Sequence, residues 1–385
     1  MSGIEKNKNN TNEERIVMPH KGGRTGFFVL VVLAVIAIVI IAAMAAGLLS
    51  FGSSKETVTL TGAGATFPMP LILKWADEYY NETDNKVRIN YGGGGSGAGI
   101  TQIKEKHVDF AGTDAPLSAL ESSTYGLVHI PETLGAVVVA FNEPSITNLK
   151  LDGPTLAMIF MKNITVWNDP EIQALNPEVT LPTDSITTVV RSDSSGTTFV
   201  FSGYLAKVSS EFDTIYGQGK SVNWPDAIGA SGNPGVTQTV KTTTHSIGYI
   251  ELAYAMGNDV PFAQMKNHEG NFVTASLETT SAAAAGVSLP AGDGDWSQVN
   301  ILDSSGANAY PIASFTYILV YEELYSDDTQ MNKTAAKTLI DFLWWAVHDG
   351  QSYADDLFYA PLPASVVELN EATLGSITYL GEALR

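Results

Sequence analysis

The chain has 385 residues, with 41 Asp and Glu against 21 Lys and Arg, a formal net charge of −20 and no cysteine. An acidic balance excludes a nucleic-acid reader, whose phosphate partner demands a basic face. The missing cysteine excludes thiol nucleophiles, disulfides, iron–sulfur clusters, cysteine-ligated zinc and a lipidated-cysteine anchor.

In chain order, the first feature is an apolar run at residues 27–49, FFVLVVLAVIAIVIIAAMAAGLL, 23 residues without a charge. As a helix it measures about 35 Å, enough to cross a bilayer. Five basic residues (Lys6, Lys8, Arg15, Lys21, Arg24) precede it, and only Lys55 lies in the 20 residues that follow. The positive-inside bias therefore assigns residues 1–26 to the cytoplasm and the remainder to the outside. Ala43-Met44-Ala45 is a passable cleavage site. The run exceeds an ordinary signal-peptide core, so an uncleaved single-pass anchor is the expectation, with 50–56 as a short tether. Everything after residue 50 holds 38 acids and 16 bases, a net charge of −22.

The exported body alternates helical and strand patterns. Pro68–Tyr80 is amphipathic, with Leu71, Trp75 and Tyr79 on one face. Val87–Tyr91 reads as a strand and Gly99–His107 as a helix, while Val137–Phe141 and Ser314–Val320 are β-rich. Thr334–His348 sets Leu339, Ile340, Phe342, Leu343 and Val347 toward one core, with Gly350 as its expected stop. Trp75, Trp344 and Trp345 fall in these helical patterns and read as core. Strands alternating with helices indicate an α/β architecture. Sequons at Asn81, Asn163 and Asn332 permit glycosylation where a host has the machinery.

The chemistry concentrates in three nearly uncharged turns, each opening an expected helix. They are Thr61-Gly62-Ala63-Gly64-Ala65-Thr66-Phe67-Pro68, then Gly92-Gly93-Gly94-Gly95-Ser96-Gly97-Ala98-Gly99, then Arg191-Ser192-Asp193-Ser194-Ser195-Gly196-Thr197. A helix start has free N–H groups and the positive end of the dipole, so it attracts anions. Glycine allows close backbone approach, and hydroxyls add donors. One such turn is usually no more than a capped helix start. Three of them with so little charge nearby point to an oxyanion cage.

These residues also carry a family resemblance. TGAGATFPMPLILKWADEY, GGGGSGAGITQI running into VDFAGTDAPLS, RSDSSGTTFVFSGYLAKV and SIGYIELAYA resemble the phosphate-binding protein of phosphate ABC importers. LDGPTLAMIFMKNITVWNDPEIQALNPEVTLP and the late LPASVVE extend the likeness over about Thr59 to Glu368, and the first 50 residues lie outside it. The resemblance implies a periplasmic-binding-protein-like fold (type II) of two α/β lobes joined by two crossover segments, near Ala136–Asn142 and Tyr310–Thr316. Lobe I is then 57–138 plus 312–385, and lobe II is 139–311. It implies phosphate as the ligand, permease subunits as partners, a binding protein rather than an enzyme, and no metal or organic cofactor.

Carried over residue by residue, the phosphate ligands are Thr66, Phe67, Ser96, Asp114, Arg191, Ser195, Gly196 and Thr197, with Asp193 supporting Arg191. Phe67 and Gly196 act through backbone N–H, and the hydroxyl residues through side chain and backbone together. Arg191 is the one formal positive charge, a fork for phosphate oxygens. Asp114 supplies selectivity: a carboxylate tolerates a bound dianion that brings a proton to share, as hydrogen phosphate does, and repels sulfate, which has none at neutral pH. Arsenate imitates phosphate and is not separated by this argument. The chain departs from the family pattern at Gly94 and Gly97, where a bulky residue and a second serine are usual, so a looser second turn is expected.

Two other classes compete. Gly92-x-Gly94-x-x-Gly97 after a strand, with Asp114 about 20 residues on, matches a dinucleotide-binding fingerprint. A secreted phosphate-ester hydrolase would use Ser96 or Ser195 with one of His107, His129, His245, His268 or His348. Neither serine sits in G-x-S-x-G, and the histidines lack metal spacing. No ATP-binding G-x-x-x-x-G-K-[ST] loop occurs.

Overall fold

Eight strands make one mixed sheet: β1 (Val58–Gly64), β2 (Val87–Gly93), β3 (Phe110–Thr113), β4 (Leu127–Asn142), β5 (Thr187–Arg191), β6 (Ile228–Ala230), β7 (Ser246–Glu251) and β8 (Ala313–Tyr321). Their spatial order is β2-β1-β3-β8-β4-β7-β5-β6. The computed structural model describes residues 57–327 and 331–385. The expected cytoplasmic tail at 1–26, the expected anchor at 27–49 and the expected tether at 50–56 lie outside the described residues. Among the described residues no helix is long and apolar enough to cross a membrane.

β4 divides the sheet. Leu127 to Ala136 pair antiparallel with β8, and Val137 to Asn142 pair antiparallel with β7. One half is therefore β2-β1-β3-β8 with the start of β4, and the other is the end of β4 with β7-β5-β6. β1 runs parallel to β2 and β3, and β5 parallel to β6 and β7, so each half has helical crossovers. This is a two-lobed α/β fold in which β4, and the segment entering β8 through Ile312, pass between the halves. β4 is buried along its whole length except Asn142, as an apolar strand covered on both faces must be. The β4–β8 ladder slips once: Thr316 faces Thr133 but Tyr317 faces Pro131, which leaves Glu132 as the extra residue of a bulge.

Helices then start where the strands end. α1 (Met69–Glu82) buries Leu71, Ile72, Trp75, Ala76 and Tyr79, the expected face. α2 spans Ser96–Lys104, three residues ahead of the expected Gly99 start. Gly95 is the cause: at φ 87°, a backbone costly for any side chain, it gives its N–H to the Gly64 carbonyl and turns the chain straight into the helix. α3 (Gly196–Val208) is capped by Ser195 Oγ accepting from Thr198 N–H. α4 (Gly232–Thr242) follows β6. α5 (Lys333–Val347) buries the expected apolar set and is capped by Asn332, one of the three exposed sequon asparagines. It ends at His348, whose Nδ1 lies 2.7 Å from the Trp344 carbonyl, and not at Gly350. Gly350 sits in the following 3₁₀ turn, where its carbonyl accepts the Trp75 indole N–H at 2.7 Å. Trp75 and Trp345 are core, whereas Trp344 is half-buried with Arg385 3.7 Å over its ring.

Candidate functional site

The first turn is held by three tyrosines. The carbonyls of Ala65, Thr66 and Phe67 accept the hydroxyls of Tyr91 (2.9 Å), Tyr254 (2.6 Å) and Tyr359 (2.7 Å) in succession. In a trans peptide the N–H points opposite to the carbonyl before it. Fixing the Ala65 and Thr66 carbonyls therefore fixes the Thr66 and Phe67 N–H groups on the other side. Tyr91 comes from β2, Tyr254 from the short helix Leu252–Gly257, and Tyr359 from the segment after α5, so remote parts of the chain set one local geometry.

The second and third turns meet each other. Gly97 N–H donates to the Ser194 carbonyl at 2.9 Å. A Cβ on Gly97 would stand 2.1 Å from Ser194 Oγ, and one on Gly196 would stand 2.3 Å from both Asp114 Oδ2 and Ser96 Oγ. The glycines are thus spaces that let backbone reach backbone, and the second turn is tied down at Gly95 and Gly97 rather than loose. Ser96 Oγ accepts the Asp114 N–H at 3.1 Å and lies 3.5 Å from Asp114 Oδ2. Thr66, Phe67, Ser96, Asp114, Arg191, Ser195 and Thr197 are all buried.

Arg191 ends β5 and is clamped by its own turn. Its Nε donates to Asp193 Oδ1 at 2.8 Å, its Nη2 to Asp193 Oδ2, and its Nη1 to Thr197 Oγ1 at 3.0 Å. Asp193 also accepts Gly232 N–H at 3.0 Å. Burial pushes the Asp193 carboxyl up, but the guanidinium and this N–H outweigh it and hold the group below its usual range. Asp114 goes the other way. Burial pushes it up to about 7, against the Thr316 hydroxyl, the charge of Arg191 and the Ser96 hydroxyl.

Asn233, near the start of α4, escaped the sequence reading. Its backbone N–H (3.0 Å) and Nδ2 (3.2 Å) donate to Thr66 Oγ1, and Nδ2 also donates to Thr197 Oγ1 at 3.1 Å. Its Oδ1 accepts Glu251 N–H at 3.0 Å. Ser231-Gly232-Asn233-Pro234 reads as an ordinary turn, and a fourth glycine- and hydroxyl-bearing turn at a helix start was the signal available. Glu132, Glu251 and Thr316, buried around Asp114, also went unread because each looks like an ordinary strand residue. One expectation is corrected: Ser195 N–H donates to the Lys220 carbonyl at 2.8 Å, so only its hydroxyl is left for a ligand. A cavity of about 50 Å³ adjoins Asp114 from the β8 side. Its lining, which includes Pro116, Phe199 and Asn300, takes in none of the three turns, so it is not the meeting point of the donors.

Hydroxyl bookkeeping then defines the chemistry. A threonine oxygen has two lone pairs and one proton. Thr66 Oγ1 accepts both Asn233 donors, and Thr197 Oγ1 accepts Arg191 and Asn233. With their acceptor capacity used, both hydroxyls have only a proton to offer, which suits an oxyanion.

Two half-sheets meeting at buried, donor-lined turns define a solute-binding protein of the periplasmic class, and a family model described as a PBP superfamily domain matches residues 50–346. Within that class the chain belongs to the phosphate-binding proteins. The phosphate-binding protein PstS of Xylella fastidiosa (strain Temecula1) is 40% identical over 326 residues, 82% of this chain and 85% of that protein. The PstS of Haemophilus influenzae is 41% identical over 325 residues, 83% and 93% of the two chains. The fold is similar to that of PfluDING, a high-affinity periplasmic phosphate-binding protein solved with phosphate bound. The TM-score is 0.64 at 24% identity, covering 82% of this chain and 93% of that one.

Proposed function

We propose that this protein captures inorganic phosphate outside the cell, in the cleft between its two lobes, and delivers it to the permease subunits of an ABC importer. The observation that carries the reading is the donor-only state of Thr66 and Thr197, set beside Arg191 and the Thr66 and Phe67 N–H groups. The ligand set is Thr66, Phe67, Ser96, Asp114, Arg191, Ser195, Gly196 and Thr197, with Asp193 and Asn233 holding it. Lobe I takes 57–138 and 312–385, and lobe II takes 139–311, so Thr66, Ser96 and Asp114 approach the ligand from one side and Arg191 to Thr197 from the other. Closure of the lobes around phosphate is the state a permease recognises. The uncharged run at 27–49 supplies a single-pass anchor with the N-terminus cytoplasmic.

The protein binds and does not catalyse. A serine hydrolase needs a base on its nucleophile, whereas Ser96 Oγ and Ser195 Oγ engage Asp114 and the Thr198 N–H. The body histidines are engaged elsewhere: His129 with Leu117 N–H, His245 with Glu143, His268 with Asp303, His348 with Glu371 and His107 with Glu105. The dinucleotide reading fails sterically, because Ser194 and Gly196 cover the start of α2 where a pyrophosphate would lie. Calorimetric titration of the full chain with phosphate, sulfate and arsenate tests the reading. Phosphate is expected to bind well below the millimolar range and sulfate to be rejected on the alkaline side of about pH 7, where Asp114 is ionised, and phosphate that fails to bind below that range sinks the claim.

A further inference from the structure

Glu132 places a second acid behind Asp114. It is fully buried and is the extra residue of the β4 bulge, the device by which a strand re-aims one side chain. Thr316 stands between the two acids. Its Oγ1 is 2.9 Å from Asp114 Oδ1, 3.3 Å from Glu132 Oε1 and 3.4 Å from the Thr113 carbonyl. One hydroxyl proton serves these three acceptors, and the shortest contact is to Asp114. Glu132 Oε1 beside the remaining lone pairs of Thr316 is then favourable only if Glu132 brings the proton.

The surroundings of Glu132 agree. Its Oε2 has no hydrogen-bond partner, so an ionised Glu132 would carry a bare charge in the interior. The titratable groups facing it are Asp114 at the end of β3, Tyr91 on β2 and Tyr359 after α5. Both tyrosine protons are committed to the Ala65 and Phe67 carbonyls. Glu251 lies beyond Tyr359, and Arg191 acts on Asp114. Burial, and then the Asp114 charge, push the Glu132 carboxyl well above its usual range.

We propose that Glu132 is a positioning residue which, as a neutral acid, donates to Thr316 and through it holds Asp114 as the proton acceptor for bound phosphate. The inference rests on the phosphate reading above. With the proton stored on Glu132, the Thr316 hydroxyl is committed to Asp114 Oδ1. Oδ2 is left beside Ser96 and Gly196 to accept the proton of hydrogen phosphate and to repel sulfate. Without that donor, Asp114 takes up a proton more readily and becomes a donor that sulfate can use.

Two measurements on the purified full chain test this. An infrared difference spectrum, wild type minus Glu132→Gln, taken without ligand at about pH 8, is expected to contain the carbonyl stretch of a protonated carboxylic acid. Glu251→Gln marks the band of Glu251, another fully buried acid. Absence of a Glu132 band overturns the proposal whether or not phosphate binds. In the second measurement sulfate competes against phosphate across about pH 5 to 9. Wild type and E132Q, which keeps a neutral donor, are expected to admit sulfate only toward the acid end. Glu132→Leu and Thr316→Val are expected to raise the pH at which sulfate first competes by about one unit. A wild-type profile in folded E132L, or an E132Q that shifts as E132L does, overturns the proposal. If the infrared band is present and wild type ignores phosphate, the phosphate reading has failed and the neutral state of Glu132 stands.

Discussion

Asp114 and Asp193 both feel the Arg191 guanidinium, yet they are driven in opposite directions. Asp193 receives Nε, Nη2 and the Gly232 N–H, and those three donors outweigh its partial burial. Asp114 is more deeply buried, receives mainly the Thr316 hydroxyl, and is pushed up to about 7. Direct contact with the guanidinium, set against depth of burial, fixes the charge state of each carboxylate here. The consequence is a division of labour. The β5–α3 wall spends Asp193 on keeping Arg191 in place, and in the proposed site the β3 wall would use Asp114 to ask whether the ligand carries a proton. This also removes the apparent conflict between a body of net charge −22 and an anionic ligand. Exposed charge is screened beyond about 8–10 Å at physiological salt, while the donors in the cleft are local and buried.

The hardest break of this division is Arg191→Met. It removes the only formal cation at the turns and leaves Asp193 half-buried with its fork partner gone. Loss of a charge-assisted fork in a buried site is expected to weaken phosphate by at least about a thousandfold in calorimetry. Asp193→Asn, which keeps the shape and loses the charge, should cost less. If the two cost the same, Arg191 acts only through its pairing with Asp193 and the division is wrong.

Asp114→Asn tests the other wall in two ways. Sulfate should come within about tenfold of phosphate once the repelling charge is gone. Stability without ligand should also lose a pH dependence whose sign follows from the shift. The folded protein holds the Asp114 proton more tightly than the unfolded chain, whose value is 3.8, so stability is full below about pH 4 and falls as pH rises toward 7. A shift of that size corresponds to about 4 kcal/mol across the window. Asp193, held low, contributes the opposite slope: its stability is present above its unfolded value and is lost as pH falls. Thermal melts of wild type and Asp114→Asn between about pH 4 and 8 should diverge at the alkaline end, the variant being the more stable there. Parallel curves would show Asp114 to be solvated in the free protein.

Asn233→Ala strikes the link between the walls. It removes the side-chain donor shared by Thr66 and Thr197 and the acceptor for Glu251 N–H, while the backbone donor to Thr66 survives. At about 1 kcal/mol per net hydrogen bond, phosphate should weaken by about ten- to thirtyfold, with discrimination against sulfate intact. A selectivity change would mean that Asn233 reaches Asp114 and is more than a link.

How much of this was legible follows from the range of each interaction. The three turns could be read because each is local: glycines and hydroxyls stand immediately before an apolar helix face. The helix starts were close for the same reason, and the error at α2 came from Gly95, whose positive φ compresses the turn into one residue. The tyrosine cradle could not be read, since Tyr254 and Tyr359 lie 188 and 292 residues from the carbonyls they fix. Glu132 was opaque because a bulge is a property of two strands in register. The two-lobed fold was legible through the resemblance of long motifs, whereas the alternating pattern by itself reached only the α/β class.

The smallest and most local test concerns the seam where the walls touch. Gly97 on the second turn and Ser194 on the third share a backbone hydrogen bond of 2.9 Å, and the serine side chain fills the space a residue-97 side chain would need. Gly97→Ala puts a methyl 2.1 Å from Ser194 Oγ and 2.4 Å from its Cβ. Oγ can rotate away, but Cβ moves only with its backbone, so the two turns must part slightly. The clash acts on this seam and on neither carboxylate. Phosphate is therefore expected to weaken by only about three- to tenfold, with an unchanged response to sulfate. Ser194→Gly should restore the space, so the double variant Gly97→Ala/Ser194→Gly should recover most of the loss in a thermodynamic cycle. Strict additivity would place the cost of the methyl elsewhere than at this contact.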